Sequence, residues 1–206
     1  MEQVATPEGY ARNPELVINF YNERRKQLLD VVPNAGHLGV ADLERDFNVT
    51  VVTQNVDNLH ERAGSTHVIH LHGELTKVCS SRDPYNPHFV KELAPEEYEV
   101  KLGDKAGDGT QLRPFIVWFG ESVPEIETAI RYVEQADIFV IIGTSLNVYP
   151  AAGLLNYVPR AAEVYLIDPK PVDTHVMRPI HVIQKGASEG VKELKALLTV
   201  TQPPLP

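Results

Sequence analysis

Five consecutive apolar residues, Ile138–Ile142 (IFVII), stop abruptly at Gly143. A run this short, rich in β-branched side chains and closed by glycine, reads as a strand buried on both faces. Residues 49–53 (VTVVT), 68–71, 115–118, 164–167 and 181–183 read as further strands. Helical patterns fall between them. Residues 13–30 offer Asn13 as a cap, Pro14 in the first turn and an apolar stripe through Leu16, Phe20 and Leu28. Shorter helices are expected over 37–45, 124–135, 151–157 and 188–198. Alternating strands and helices argue for an α/β fold, a parallel sheet covered on both faces. Residues 76–111 break the pattern. They are polar and rich in Pro, Asp and Gly, and read as a small module inserted at the sheet's edge. Residues 199–206 (TVTQPPLP) read as a flexible tail.

Composition excludes several classes of function. A formal net charge of −9 over 206 residues argues against non-specific nucleic-acid binding. No apolar run nears the ~18 residues that span a bilayer, so no membrane segment is expected. The first residues lack the basic and apolar regions of a secretory signal. The single cysteine, Cys79, fits a reducing, cytoplasmic compartment and cannot build a four-cysteine zinc site.

Three polar segments carry the chemistry. Thr53-Gln54-Asn55-Val56-Asp57 follows a strand directly, where open α/β sheets bind ligands. An amide and a carboxylate there suit sugar hydroxyls and a carboxamide, but the segment equally suits a turn that caps the next helix. His70-Leu71-His72-Gly73-Glu74 puts His70 and His72 on one strand face, with His67 just before. Three close histidines suggest a metal, yet no further ligand is evident. A histidine at a strand end before glycine suits a general base, or a structural role. Gly143-Thr144-Ser145 permits a tight turn, with hydroxyls for ribose or phosphate. It is no nucleophile elbow, because Asn147 stands where the second glycine belongs. No protein nucleophile is apparent.

Together these segments resemble the sirtuin family. The matching stretches are VATPEGY, FYNERR, TQNVDNLHERAG, HLHGEL, RPFIVWFGE, ADIFVIIGTSLNVYPAAG and YLIDPKP, in family order. The resemblance implies a Rossmann-like sheet with a small inserted module and NAD-dependent removal of acyl groups from protein lysines. His72 would be the general base on the NAD ribose. Asn55 would hold that ribose with Gln54 beside it, and Asp57 would bind the nicotinamide carboxamide. Gly143, Thr144 and Ser145, with Asp168 and Ala187, would serve the rest of the NAD. Val117, Trp118, Phe119, Gly120 and Glu121 would pair with an acyl-lysine peptide as an added strand. Products would be free lysine, nicotinamide and an O-acyl-ADP-ribose, a route that needs no protein nucleophile. Segment 1–46 would line the acyl pocket, 47–75 and 112–198 would form the NAD-binding core, and 76–111 the module.

Tyr21 and Arg24 sit one helical turn apart and share a face. An arginine fork with a tyrosine hydroxyl matches a carboxylate. The resemblance here is to sirtuins that remove succinyl and malonyl groups, with Ala5 as the small residue that leaves room for the longer chain. The alternative is an ordinary solvated, charge-rich helix face.

Three departures stand out. The family's first strand and its Gly-Ala-Gly-x-Ser loop have no counterpart. A chain truncated in this way is expected to bind NAD poorly, which leaves an inactive protein that binds ADP-ribose or protein as the alternative to an enzyme. The module has one cysteine, so no zinc is expected. Leu166 stands where many relatives carry an asparagine near the adenosine.

Overall fold

The computed structural model describes residues 3–144, 151–171 and 178–201. In chain order the elements are α1 (Pro7–Arg12), α2 (Pro14–Asp30), α3 (Ala35–Asp42), β1 (Val51–Thr53), α4 (Leu59–Ala63), β2 (Val68–His70), β3 (Gly73–Ser80), β4 (Lys91–Glu92), β5 (Leu112–Ile116), α5 (Ile126–Val133), β6 (Ile138–Ile142), β7 (Glu163–Ile167), β8 (His181–Ile183) and α6 (Ala187–Thr201). None of the described helices is long and apolar enough to cross a membrane. The chain divides into two compact units.

The first unit comprises Met1–Val32, Val52–Asn58 and His70–Glu125. Thr6 Oγ1 accepts from Gly9 N at 3.0 Å and starts α1. Asn13 Oδ1 accepts from Leu16 N at 3.1 Å and starts α2, the cap expected from the sequence. The module is an antiparallel sheet in the order β4-β3-β5. Strand β3 starts before residue 76, and β5 lies wholly after residue 111. Ile18 of α2 packs with Val78 and Val100 against Tyr10, Leu93 and Leu112. A polar clamp reinforces this contact. Asn22 donates to the Val100 carbonyl (2.8 Å) and accepts from its amide (3.0 Å). Arg25, 3% exposed, donates to the Tyr98 carbonyl (2.7 Å) and the Leu75 carbonyl (3.4 Å).

A second polar knot closes the module from within. Ser80, fully buried, donates to Asp108 Oδ2 at 2.7 Å and accepts from the amides of Arg82 and Asp83 at 3.0 Å each. Thr110 Oγ1 donates to Asp108 Oδ1 at 2.7 Å. These hydroxyl donors hold the Asp108 carboxyl down to about 2. Cys79 lies alongside with its thiol pointed at the Pro114 carbonyl. Burial pushes that thiol up to about 12. Ser80→Ala removes the acceptor of two part-buried amides and a buried donor to Asp108, and should cost about 1–3 kcal/mol. A urea titration followed by tryptophan fluorescence measures this, and an unchanged midpoint would contradict the role given to the knot.

The second unit comprises Pro33–Val51, Leu59–Ile69 and Ile126–Pro206. Its sheet is parallel, in the order β6-β7-β8. Val164, Tyr165, Leu166 and Ile167 of β7 are all at most 4% exposed, so both faces of that strand are covered. Tyr165, Ile167 and Ile183 pack against Val191, Leu194 and Leu198 of α6 and Val40 of α3. Asp42 of α3 and Lys195 of α6 close the helix pair with an ion pair.

Several expectations shift. Ile138–Ile142 forms the strand anticipated, but only Ile141 is fully buried. Among the described residues β6 pairs on one side only, and β7 takes the central place. Residues 151–157 form the helix anticipated, as a 3-10 helix. Helix α6 continues to Thr201, into the expected tail. The segments 1–46 and 76–111 do not stand apart: α1 and α2 belong with the module, and α3 with α6.

Candidate active site

Strands β1 and β2 pair, with Val51 N donating to the His67 carbonyl (2.9 Å) and Leu71 N to the Thr53 carbonyl (3.0 Å). Partner numbers climb together, so the strands run parallel and their carboxyl ends lie side by side. This register delivers the polar segments after each strand to one place within the first unit. His70 Nδ1 lies 3.1 Å from the Asn55 carbonyl, and His72 Nδ1 lies 3.1 Å from the Gln54 carbonyl. A carbonyl only accepts, so each neutral ring carries its proton on Nδ1. The Nε2 lone pair of His72 is then free to act as a base. His72 is half-exposed, whereas His70 is 8% exposed. The first is available to a ligand and the second is structural.

The backbone after His72 is equally constrained. Gly73 has φ +80°, and a Cβ there would collide with the Phe115 carbonyl. Only glycine lets β5 approach so closely. Val117 N then donates to the His72 carbonyl at 2.9 Å, which fixes the chain after β5 beside the histidine.

Residues 117–121, expected to pair with a peptide as an added strand, lie beyond the last residue of β5. Strand β5 ends at Ile116. Glu121 N donates to the Trp118 carbonyl (3.0 Å) with Gly120 at φ +90°, which makes a tight turn. Phe119 N donates to the Ala5 carbonyl (3.0 Å) and Trp118 N to Glu121 Oε2 (2.8 Å). The amides of Val117, Trp118, Phe119 and Glu121 are therefore engaged internally. Phe119 itself is 66% exposed.

Sequence reasoning missed what holds this turn. Arg113, 4% exposed, donates to both Glu121 oxygens (2.8 and 3.0 Å) and to the Ile116 carbonyl (2.7 Å). Its guanidinium lies 3.5 Å from the Trp118 ring centroid. Trp118 Nε1 donates to the Tyr21 hydroxyl oxygen at 3.1 Å. Arg24, one turn along α2, is exposed, and its guanidinium lies 5.2 Å from the Phe20 centroid. No local periodicity announces a buried arginine paired with a glutamate across a strand end.

The three histidines do not form a metal centre. His67 Nδ1 sits 2.9 Å from Thr50 Oγ1 and its ring lies against Tyr132, so each histidine has its own partner. Among the described residues no cluster of His, Cys, Asp or Glu is arranged to hold a metal.

In the second unit, Gly143 ends β6 with φ +62°, its amide donating to the Ile167 carbonyl (2.9 Å). A Cβ there would meet nothing within 4 Å, which leaves room for a ligand against the backbone. Thr144 follows it, half-buried, and Ser145 lies outside the described residues. Asp168 Oδ1 accepts from Lys170 N at 2.8 Å and shapes its own turn. Ala187 opens α6. Leu166 is completely buried, so its side chain has no contact to give an adenosine.

Residues 1–150 match the Sir2 family. The chain belongs to the Sir2 family. An NAD-dependent protein deacylase of Bacteroides thetaiotaomicron is 83% identical over 198 residues, covering 96% of this chain and 85% of that one. Among solved structures, a Sir2 homolog–NAD complex superposes with a TM-score of 0.81 at 35% identity, over 97% of this chain and 77% of the other. A Sir2–p53 peptide–NAD+ complex gives 0.74 at 26% identity, over 94% and 82%. The fold of this Sir2 chain is thus the Rossmann-like α/β class.

The residues fit NAD. Asn55 is exposed, and no described residue bonds its side chain. Asn58 Oδ1 is a buried acceptor that no described donor reaches. Both lie in the loop that anchors His72, where a ligand rich in hydroxyls and an amide supplies donors.

Proposed function

We propose that this chain removes acyl groups from protein lysines with NAD as co-substrate, and that it favours acyl groups ending in a carboxylate, such as succinyl and malonyl. The deacylase class follows from family membership and from the 83% identical relative. NAD, when bound, supplies an electrophilic ribose carbon with nicotinamide as leaving group. His72 Nε2 takes the proton from a ribose hydroxyl, while the Gln54 carbonyl keeps Nδ1–H in place and stabilises the imidazolium that forms. Asn55 and Gln54 hold the ribose and Asp57 the carboxamide. Gly143, Thr144, Ser145, Asp168 and Ala187 serve the remainder of the NAD. The turn at Trp118 and Phe119 receives the peptide.

One observation carries the acyl preference: the contrast between two adjacent arginines. Arg25 is buried and its donors are taken by carbonyls. Arg24 is exposed, and no carboxylate among the described residues pairs with it. It lies on the face of Tyr21, in the unit that holds His72. A planar cation with free donors one turn from a tyrosine hydroxyl suits a carboxylate.

The test is the ratio of kcat/KM for succinyl-lysine over acetyl-lysine peptides with NAD. Arg24→Met removes a charge-assisted hydrogen bond of about 1.5–3 kcal/mol, so the ratio should fall about 10- to 100-fold. An unchanged ratio would reject the acyl preference and leave the deacylase class intact. Binding of ADP-ribose with no turnover of either peptide would favour a binding protein.

A further inference from the structure

We infer that Trp118 is a positioning residue for acyl selection, acting by directing the hydroxyl proton of Tyr21 toward the substrate carboxylate. This rests on the reading of Tyr21 and Arg24 as the acyl-carboxylate site. An indole N–H is a donor only, whereas a phenol has one proton and lone pairs to accept with. At 3.1 Å from Trp118 Nε1, the Tyr21 oxygen is therefore the acceptor, and its own proton must point elsewhere. Tyr21 is 6% exposed, and no described residue accepts that proton. Burial raises the pKa of Tyr21, so the proton stays on the oxygen at neutral pH.

The indole is held on several sides. Arg113 lies over its ring, the Tyr10 ring lies 5.2 Å away, and Glu121 binds both Arg113 and the Trp118 amide. A cation over the ring face also draws electron density from it and sharpens Nε1–H as a donor. A succinyl or malonyl carboxylate accepts the unused Tyr21 proton and pairs with Arg24. An acetyl group has no acceptor to place there. Trp118 thus sets which way Tyr21 donates, and Arg113 and Glu121 keep Trp118 in position.

The experiment is a double-mutant cycle on the same succinyl/acetyl ratio, using Tyr21→Phe, Trp118→Phe and the double variant. Tyr21→Phe should lower the ratio about tenfold, and Trp118→Phe about three- to tenfold. The double variant should fall no further than Tyr21→Phe, because the indole acts through the hydroxyl. A second variant guards against misfolding. Trp118 is the one tryptophan in the chain, so its benzothiophene analogue can replace it without touching another site. That analogue keeps the ring and lacks the N–H, and should lower the ratio as Trp118→Phe does. A ratio that drops in Tyr21→Phe but holds with the analogue overturns the inference, as do multiplicative effects in the cycle. A wild-type protein with no preference for succinyl over acetyl sinks the acyl reading itself.

Discussion

His72→Ala should lower NAD-dependent deacylation by about 10²- to 10⁴-fold, the usual contribution of a positioned general base. The Gln54 carbonyl fixes the proton on Nδ1, which leaves Nε2 as the basic atom. Alanine removes that atom and retains the backbone. The bond from Val117 N uses the His72 carbonyl, so the turn that follows β5 survives the substitution. His72 is half-exposed, so its truncation leaves no large cavity. Activity should fall while the melting temperature stays within a few degrees. Nicotinamide release during turnover of an acyl-lysine peptide reads the first, and thermal denaturation the second. A variant that keeps more than a tenth of the wild-type rate would show that another group takes the ribose proton. His70→Ala is the informative contrast. His70 is 8% exposed and tied to Asn55, so its loss should lower stability and activity together.

The parts of this site written in contiguous residues were readable in advance. A β-branched run ending in Thr53-Gln54-Asn55 and a strand ending in His70-Leu71-His72-Gly73 identify two loops at strand ends, and strand pairing then places them side by side. The α2 cap at Asn13 was readable for the same reason, since a cap is a local bond. Other features depend on partners far along the chain. The FYNERRK stretch reads as a carboxylate-binding Tyr21/Arg24 pair or, alternatively, as a solvated, charge-rich face, and neither reading buries its other polar residues. Yet Asn22 and Arg25 are buried there because carbonyls 73 to 78 residues away receive them. That β6 has a strand neighbour on one side only among the described residues is equally invisible in IFVII, because a period of apolar residues reports burial preference and not the number of neighbouring strands. Ser80 and Asp108, which knot the module, look in sequence like ordinary loop polars.

Glu121→Gln should destabilise the first unit by about 3–5 kcal/mol, the cost of breaking one partner out of a buried ion pair. The pair is bidentate, at 2.8 and 3.0 Å, and its side chains are 5% and 14% exposed. Glutamine keeps the size of the side chain but offers one carbonyl where two anionic oxygens stood, and leaves the Arg113 charge uncompensated. Arg113 also donates to the Ile116 carbonyl and covers Trp118, so its displacement loosens the end of β5 and the turn together. Trp118 lies inside this network and is the only tryptophan, which makes its fluorescence a local reporter of the first unit. A urea titration read at that fluorophore should show an earlier midpoint. The double replacement Arg113→Met with Glu121→Leu provides the opposing case. It removes both charges, so it should cost less than Glu121→Gln even though it deletes more hydrogen bonds. If the double variant proves the less stable of the two, the geometry of the bonds outweighs the buried charge, and Arg113 acts as a scaffold for the two Glu121 oxygens, the Ile116 and Pro114 carbonyls and an indole instead of as one half of an ion pair.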